Sequence, residues 1–320
     1  MSIIPSLDLD QFVKGTAEEK AQFVNALGKA YEDTGFAAIK NHLLSEALET
    51  QLYDASKQFF DLPIELKLKY ADEALAGQRG YTGGGKEHAK GKNVGDLKEF
   101  WHFGQYVPDN LKSDFEYFDN LEVTELKDFN RAGEEAFKAL EETGKYMLRA
   151  MALYLGLDEF YFDSEIQYGN SILRPIHYPP IIDEPPVGAV RAGEHEDINL
   201  ITLLMGASAG GLEILTKDNK WVGVTSLKDH LVVNVGDMLQ RLTNNKFKST
   251  THRVVNPPRS EWSSPRYSIP FFLHPKSSTR LDCLPSCVDS EHPKQYNDIS
   301  AGEYLTERLL EIGLSKNGYK

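Results

Sequence analysis

The triplet His195-Glu196-Asp197 puts an imidazole and a carboxylate two residues apart. On extended backbone, residues two apart point to the same face, so both groups can meet one ion. The run that follows, Ile198-Asn199-Leu200-Ile201-Thr202-Leu203-Leu204, is rich in β-formers and reads as a mostly buried strand. The pair therefore stands where a rigid element begins, and Glu196, by parity, points away. A third donor, His252, lies in Thr250-Thr251-His252-Arg253-Val254-Val255, also read as a strand. Two histidines and one carboxylate on one side of a metal leave the opposite positions open. That ligand set suits a non-haem Fe(II) that must hold O2 and a bidentate organic ligand together.

Further along, Arg266-Tyr267-Ser268 repeats the spacing of two on an apparent strand. A planar fork of donors beside a hydroxyl fits a carboxylate. Each motif alone is common and more often structural: a surface loop for His-x-Asp, a satisfied strand histidine for His252. Their order, with each on a strand, carries the reading.

Around these residues the chain resembles the isopenicillin N synthase-like family of iron- and 2-oxoglutarate-dependent dioxygenases. The matching text includes Gly210-Gly211-Leu212-Glu213-Ile214, Val233-Asn234-Val235-Gly236-Asp237-Met238-Leu239-Gln240-Arg241-Leu242-Thr243-Asn244 and Ser249-Thr250-Thr251-His252-Arg253-Val254. An N-terminal Gly35-Phe36-Ala37-Ala38-Ile39 followed by Asn41-His42 extends the likeness over nearly the whole chain, with His42 read as structural. The resemblance implies a mainly β fold with flanking helices and a double-stranded β-helix (jelly roll) core. It implies Fe(2+) held by His195, Asp197 and His252. It also implies 2-oxoglutarate, its far carboxylate held by Arg266, Ser268 and Tyr178, the last in Tyr178-Pro179-Pro180. The expected reaction oxidises, by hydroxylation, a small organic molecule with O2 while 2-oxoglutarate is decarboxylated to succinate.

Many plant members carry Asn two places before that tyrosine, where this chain has Ile176. Arg174, on the same face, is expected to compensate or to grip an acidic group of the substrate. Tyr81, Phe100 and Trp101 fall in segments that resemble the family's active-site mouth; they are expected either to touch substrate or to pack the N-terminal part on the core. Three alternatives stand beside this reading: an oxidase of the same fold that uses Fe(II) and O2 without 2-oxoglutarate, a non-catalytic jelly-roll binding protein, and a structural zinc protein.

The totals are compatible. The 320 residues are 41% hydrophobic and 26% charged, with a net charge of −13. So acidic a surface argues against nucleic acid or an anionic membrane as partner. Cys283 and Cys287 are too few for a disulfide framework, and with His292 they lack a fourth zinc ligand. With neither a secretory leader nor about twenty consecutive apolar residues to span a bilayer, a cytoplasmic monomer is expected.

The elements that must position the site follow from periodicity. Helices are expected over 17–34, 45–60, 63–70, 123–155 (with a break near Gly144) and 298–314, and strands over 36–40, 171–178, 198–204, 211–215, 221–224, 231–235, 248–255 and 266–273. The Gly-rich stretch 76–92 lacks the spacing of a phosphate loop and reads as a lid. Four regions result: an N-terminal α/β region (1–105), bracing helices (106–165), the oxygenase core (166–285) and a C-terminal helix (286–320).

Overall fold

The computed structural model describes residues 4–75, 77–86, 95–114, 117–186, 188–206, 208, 210–224 and 227–312. The stretch 87–94, within the Gly-rich segment, lies outside them. Among the described residues are fourteen strands: β1 (Ser6–Asp8), β2 (Phe36–Lys40), β3 (Gly80–Thr82), β4 (Glu99–Gly104), β5 (Ile172–Leu173), β6 (Ile176–Tyr178), β7 (Ala192–His195), β8 (Ile201–Leu204), β9 (Leu212–Leu215), β10 (Trp221–Gly223), β11 (His230–Val235), β12 (His252–Val254), β13 (Arg266–Ser268) and β14 (Pro270–Leu273). The helices are α1 (Leu9–Val13), α2 (Ala17–Asp33), α3 (Glu46–Phe60), α4 (Ile64–Lys67), α5 (Lys127–Tyr154), α6 (Asp163–Ile166), α7 (Asp237–Leu242) and α8 (Ala301–Glu311).

Ten strands make one large sheet, in the order β1-β2-β11-β8-β14-β5-β4-β6-β13 with β3 on β4; a second sheet runs β10-β9-β12-β7. Ile214 of the small sheet packs with Phe36, Ala38 and Val232 of the large one. Phe100, Ile176, Tyr178, Ala192 and Val254 form a second apolar cluster across the two sheets. This sandwich is the double-stranded β-helix. The N-terminal region is woven into it, since β2 pairs with β11 from Phe36↔Asn234 to Lys40↔His230.

The other face of the large sheet is covered by helices. Along α5, Phe129, Gly133, Phe137, Leu140, Met147 and Met151 fall on one buried stripe, the period a half-buried helix requires. The expected break at Gly144 is absent. A Cβ there would sit 2.8 Å from Leu273 Cδ2, so the glycine lets α5 lie close on β14. Thr16 and Glu19 close α2 with a reciprocal capping box, as Ser300 and Glu303 do for α8.

Two expected strands are interrupted. The strand over 171–178 splits at Pro175, and that over 266–273 splits before Pro270, because proline has no N–H to give a ladder. Arg174 N bonds Pro270 O at 2.9 Å, which joins the two kinks.

Candidate metal centre and adjoining pockets

β7 ends on His195, so Asp197 lies in the connection to β8 and not at the start of a strand. β12 runs antiparallel to β7 with His252 directly opposite His195. The two imidazoles are thus delivered by register, with ring centroids 4.4 Å apart. Among the described residues, His195, Asp197 and His252 form the one group of three that could hold a metal, their donor atoms all within 4.8 Å of one another. Asp197 Oδ1 stands 3.8 Å from His195 Nε2 and 3.6 Å from His252 Nε2.

Each donor is oriented from behind. His195 Nδ1 lies 2.7 Å from Gly193 O, and His252 Nδ1 3.1 Å from Thr250 O. A carbonyl only accepts, so each Nδ1 carries the proton and each Nε2 turns its lone pair inward. Asp197 Oδ2 accepts from Thr202 Oγ1 at 2.6 Å and Asn234 Nδ2 at 2.8 Å, which leaves Oδ1 to the centre. Asn199 Nδ2 in turn donates to Thr202 Oγ1 at 2.8 Å, fixing the hydroxyl as donor to Asp197.

The electrostatics agree. Burial pushes the His195 imidazole down to about 4, helped by the nearby His252, so it is neutral at pH 7. Burial opposes ionisation of Asp197, but the charges of His252 and His195 and the bonds from Asn234 and Thr202 outweigh it, and its carboxyl lies below the ordinary value. Two imidazole nitrogens and a carboxylate oxygen, with open positions opposite, fit Fe(II). Glu196 turns away as expected, its carboxylate accepting from Thr251 Oγ1 at 3.2 Å.

The triad opens onto a cavity also lined by Arg174, Ile176, Tyr178, Arg266, Ser268 and Asn234. β13 pairs with β6 so that Arg266 faces Tyr178 and Ser268 faces Ile176. The Arg266 guanidinium, 1% exposed, lies 4.9 Å over the Tyr178 ring, and its Nε donates to Gly210 O at 3.2 Å. A buried guanidinium, a hydroxyl and a phenol at the end of a cavity that begins at the triad match a molecule with a chelating head and a distal carboxylate.

A second cavity extends from His195 and Asp197 in another direction, past Arg174, Lys98, Phe272 and His274 to Leu305, Leu309 and Ile312 of the C-terminal segment. Arg174 is held flat, its guanidinium 4.4 Å from the Phe100 ring and 5.0 Å from that of Phe272, with Nε donating to His102 Nε2 at 2.5 Å. Of the aromatic residues expected at the mouth, Phe100 supports Arg174 and neither cavity is lined by it. Trp101 takes the packing alternative: it is wholly buried in the core, against Phe59 and Phe129. Tyr81 is likewise buried, its hydroxyl donating to Glu99 Oε2 at 2.5 Å. Cys283 and Cys287 are free thiols away from the triad. Sequence reasoning placed the segment of Asp96 and Lys98 near the mouth without singling out these two, and missed His274 as a lining residue and the supporting roles of Thr202 and Asn234.

Comparison with known proteins agrees with this geometry. Residues 4–124 match the family described as non-haem dioxygenase in morphine synthesis, N-terminal, and residues 169–275 match the 2OG-Fe(II) oxygenase superfamily. The chain is 32% identical to the 2-oxoglutarate-dependent dioxygenase htyE of Aspergillus rugulosus, over 96% of this chain and 98% of that one. It is 31% identical to the proline hydroxylase buaE of Petromyces alliaceus, over 96% and 99% respectively. Among solved structures, a 2OG-Fe(II) oxygenase family protein of Caulobacter crescentus superposes with a TM-score of 0.86 at 40% identity, covering 98% of this chain and all of that one. A full-length Neurospora crassa protein, solved in complex with alpha-KG and thymine, does so with a TM-score of 0.84 at 31% identity, covering 96% of each chain.

Proposed function

This chain belongs to the 2-oxoglutarate–Fe(II) oxygenase superfamily, oxidoreductases whose cofactors are Fe(II) and 2-oxoglutarate, and we propose that His195, Asp197 and His252 hold its iron while Arg266, Ser268 and Tyr178 hold the far carboxylate of 2-oxoglutarate. The observation that carries this is the convergence of three inward donor atoms within 4.8 Å at one end of the cavity that Arg266 closes at the other. When bound, iron and 2-oxoglutarate supply the oxidation, coupled to decarboxylation to succinate; the reaction on the small-molecule substrate is read as hydroxylation.

The chain's own residues orient and enclose. Thr202 and Asn234 hold Asp197 Oδ2, so one oxygen faces the centre in a fixed direction. The edge of Phe36 abuts His252, ring centroids 6.1 Å apart, and closes one side to water. Arg174 stands between the two cavities and orients a polar substrate against the triad; relatives named for proline and bound to thymine support a compact polar molecule. The relatives named for 2-oxoglutarate favour that cosubstrate over an oxidase working without it.

On this reading residues 1–105 pack on a core of 166–285, with 106–165 as bracing helices and 286–320 as the C-terminal helix region, whose Leu305, Leu309 and Ile312 line the substrate cavity. The protein is read as a cytoplasmic monomer, in keeping with the lack, among the described residues, of any helix long and apolar enough to cross a membrane.

The test is succinate formation from 2-oxoglutarate under O2 with and without Fe(II). Asp197→Ala should abolish it, and Arg266→Met should raise the KM for 2-oxoglutarate about a hundredfold, the worth of a charge-assisted bidentate contact of ~3 kcal/mol. An Asp197→Ala variant as active as the parent would refute the ligand set.

A further inference from the structure

Arg266 has two sides. It closes the cavity that holds the triad, and it also lines a second, larger cavity, about 600 Å³ against about 70 Å³. Leu204 and Leu212 are likewise common to both, so one guanidinium and two leucines form the partition.

The outer cavity contains a second buried guanidinium. Arg191 is 2% exposed. Its Nη2 donates to Ser264 O at 3.1 Å, and its buried Nε has no acceptor among the described residues. Tyr178 lies between the two arginines, its ring centroid 5.9 Å from Arg191 Cζ and 4.9 Å from Arg266 Cζ. Of the acids facing this cavity, Glu213 is taken by Arg253 at 2.8 Å, and Glu261, exposed at the rim, offsets the Arg191 charge only in part and makes no ion pair with it. Burial and the like charge of Arg266 both push the Arg191 guanidinium below its ordinary value, so the site is electrostatically tense as it stands.

A buried cation with no direct ion pair among the described residues, and with one N–H unpaired, is costly unless an anion completes it. We propose that Arg191 and Arg266 form an outer carboxylate site, distinct from the iron-side pocket, that takes a small dicarboxylate such as succinate. Its existence rests on Arg191; its role, as a staging point for cosubstrate entering or product leaving past Arg266, rests on the reading of Arg266 given above. Two forked cations facing one cavity suit a planar carboxylate, whose two oxygens accept paired N–H donors.

The experiment is calorimetric titration of succinate into the anaerobic full-length protein loaded with Fe(II) and saturating 2-oxoglutarate, which occupies the inner site. One further succinate per chain should bind. Arg191→Met should weaken that binding at least tenfold, and Arg191→Lys, which keeps the charge without the fork, should weaken it less. No additional succinate on the loaded wild-type protein overturns the proposal whether or not either variant folds. So does binding that Arg191→Met leaves unchanged, or binding of inorganic phosphate in place of succinate. Failure of the inner-site reading appears elsewhere, as an Arg266→Met variant whose KM for 2-oxoglutarate is unaltered.

Discussion

Thr202 on β8 and Asn234 on β11 stand directly opposite one another in the large sheet, and both donate to the same oxygen, Oδ2 of Asp197. One cross-strand pair thus fixes the carboxylate of a residue that belongs to neither strand. The rotation that would exchange Oδ1 for Oδ2 is blocked, and the proposed iron meets a single pre-set oxygen. Thr202→Val keeps the shape and removes the hydroxyl. Its Fe(II) affinity should fall by about ten- to a hundredfold, the usual cost of losing the group behind a ligand. Asn234→Leu should do the same, and the double variant should lose less than the product of the two, because both act on one oxygen. Equilibrium titration of metal-free protein with Fe(II) reads this; additive losses would mean that the pair does not act through Asp197.

Asp96 reaches the centre from the N-terminal region. Its Oδ1 accepts from Gly193 N at 3.0 Å, while the carbonyl of that same Gly193 accepts from His195 Nδ1 at 2.7 Å. Its Oδ2 is paired with Lys98 Nζ at 2.9 Å. Asp96→Ala should therefore loosen His195 and weaken Fe(II) binding severalfold. Asp96→Asn, which can still accept from Gly193 N, should restore most of the affinity. Equal losses in Ala and Asn would assign the effect to the Lys98 ion pair.

The C-terminal helix is tied down close to the triad. Tyr304 Oη donates to Asp237 Oδ2 at 2.7 Å, and Asp237 N donates to the backbone oxygen of Asp197 at 2.9 Å. Leu305 and Leu309, next to Tyr304 on α8, line the proposed substrate cavity. Tyr304→Phe removes one hydrogen bond worth about 1 kcal/mol, so amide exchange along α8 should quicken about fivefold. Exchange in α5, held by its own buried stripe, should not change. Uniform acceleration in both helices would show a global loss of stability instead.

Part of the centre was legible from strand parity: Arg266 and Ser268 share a face of β13, and His252 lies on a strand as expected. His-x-Asp marked the right residues for a different reason, since β7 ends on His195 and Asp197 is turned to the centre by Thr202 and Asn234. What was not legible depends on which strand lies opposite which. Thr202 and Asn234 read as ordinary strand residues until β8 and β11 are paired. Phe100 and Trp101 had two readings open, substrate contact or packing on the core. They are adjacent on β4, so they point to opposite faces: Phe100 toward Arg174, Trp101 into the core. The alternation along the strand separates them. At Gly144 the sequence suggested a helix break; the neighbouring β14 shows that the glycine instead allows a close approach. Arg191 carries no motif; its orphan donor is a property of the packed molecule.

Away from the centre, Glu141 gives the protein a pH dependence of its own. It lies in α5 with Oε1 buried and without a partner among the described residues, and burial, only partly offset by a bond from Gln105, pushes its carboxyl up to about 7. In the unfolded chain the same group titrates near 4.5. Between these values the folded state holds the proton and the unfolded state does not. The stabilisation is therefore complete below about pH 4.5, falls as pH rises, and is gone above about 7. Allowing for its partial exposure, the loss is on the order of 2 kcal/mol. Glu141→Gln cannot ionise, so it should be more stable than the parent at pH 8 and about equal to it at pH 4.5. Thermal unfolding of metal-free protein at the two values reads the difference. A gain of the same size at both would mean that the carboxamide packs better and that the proton is not involved.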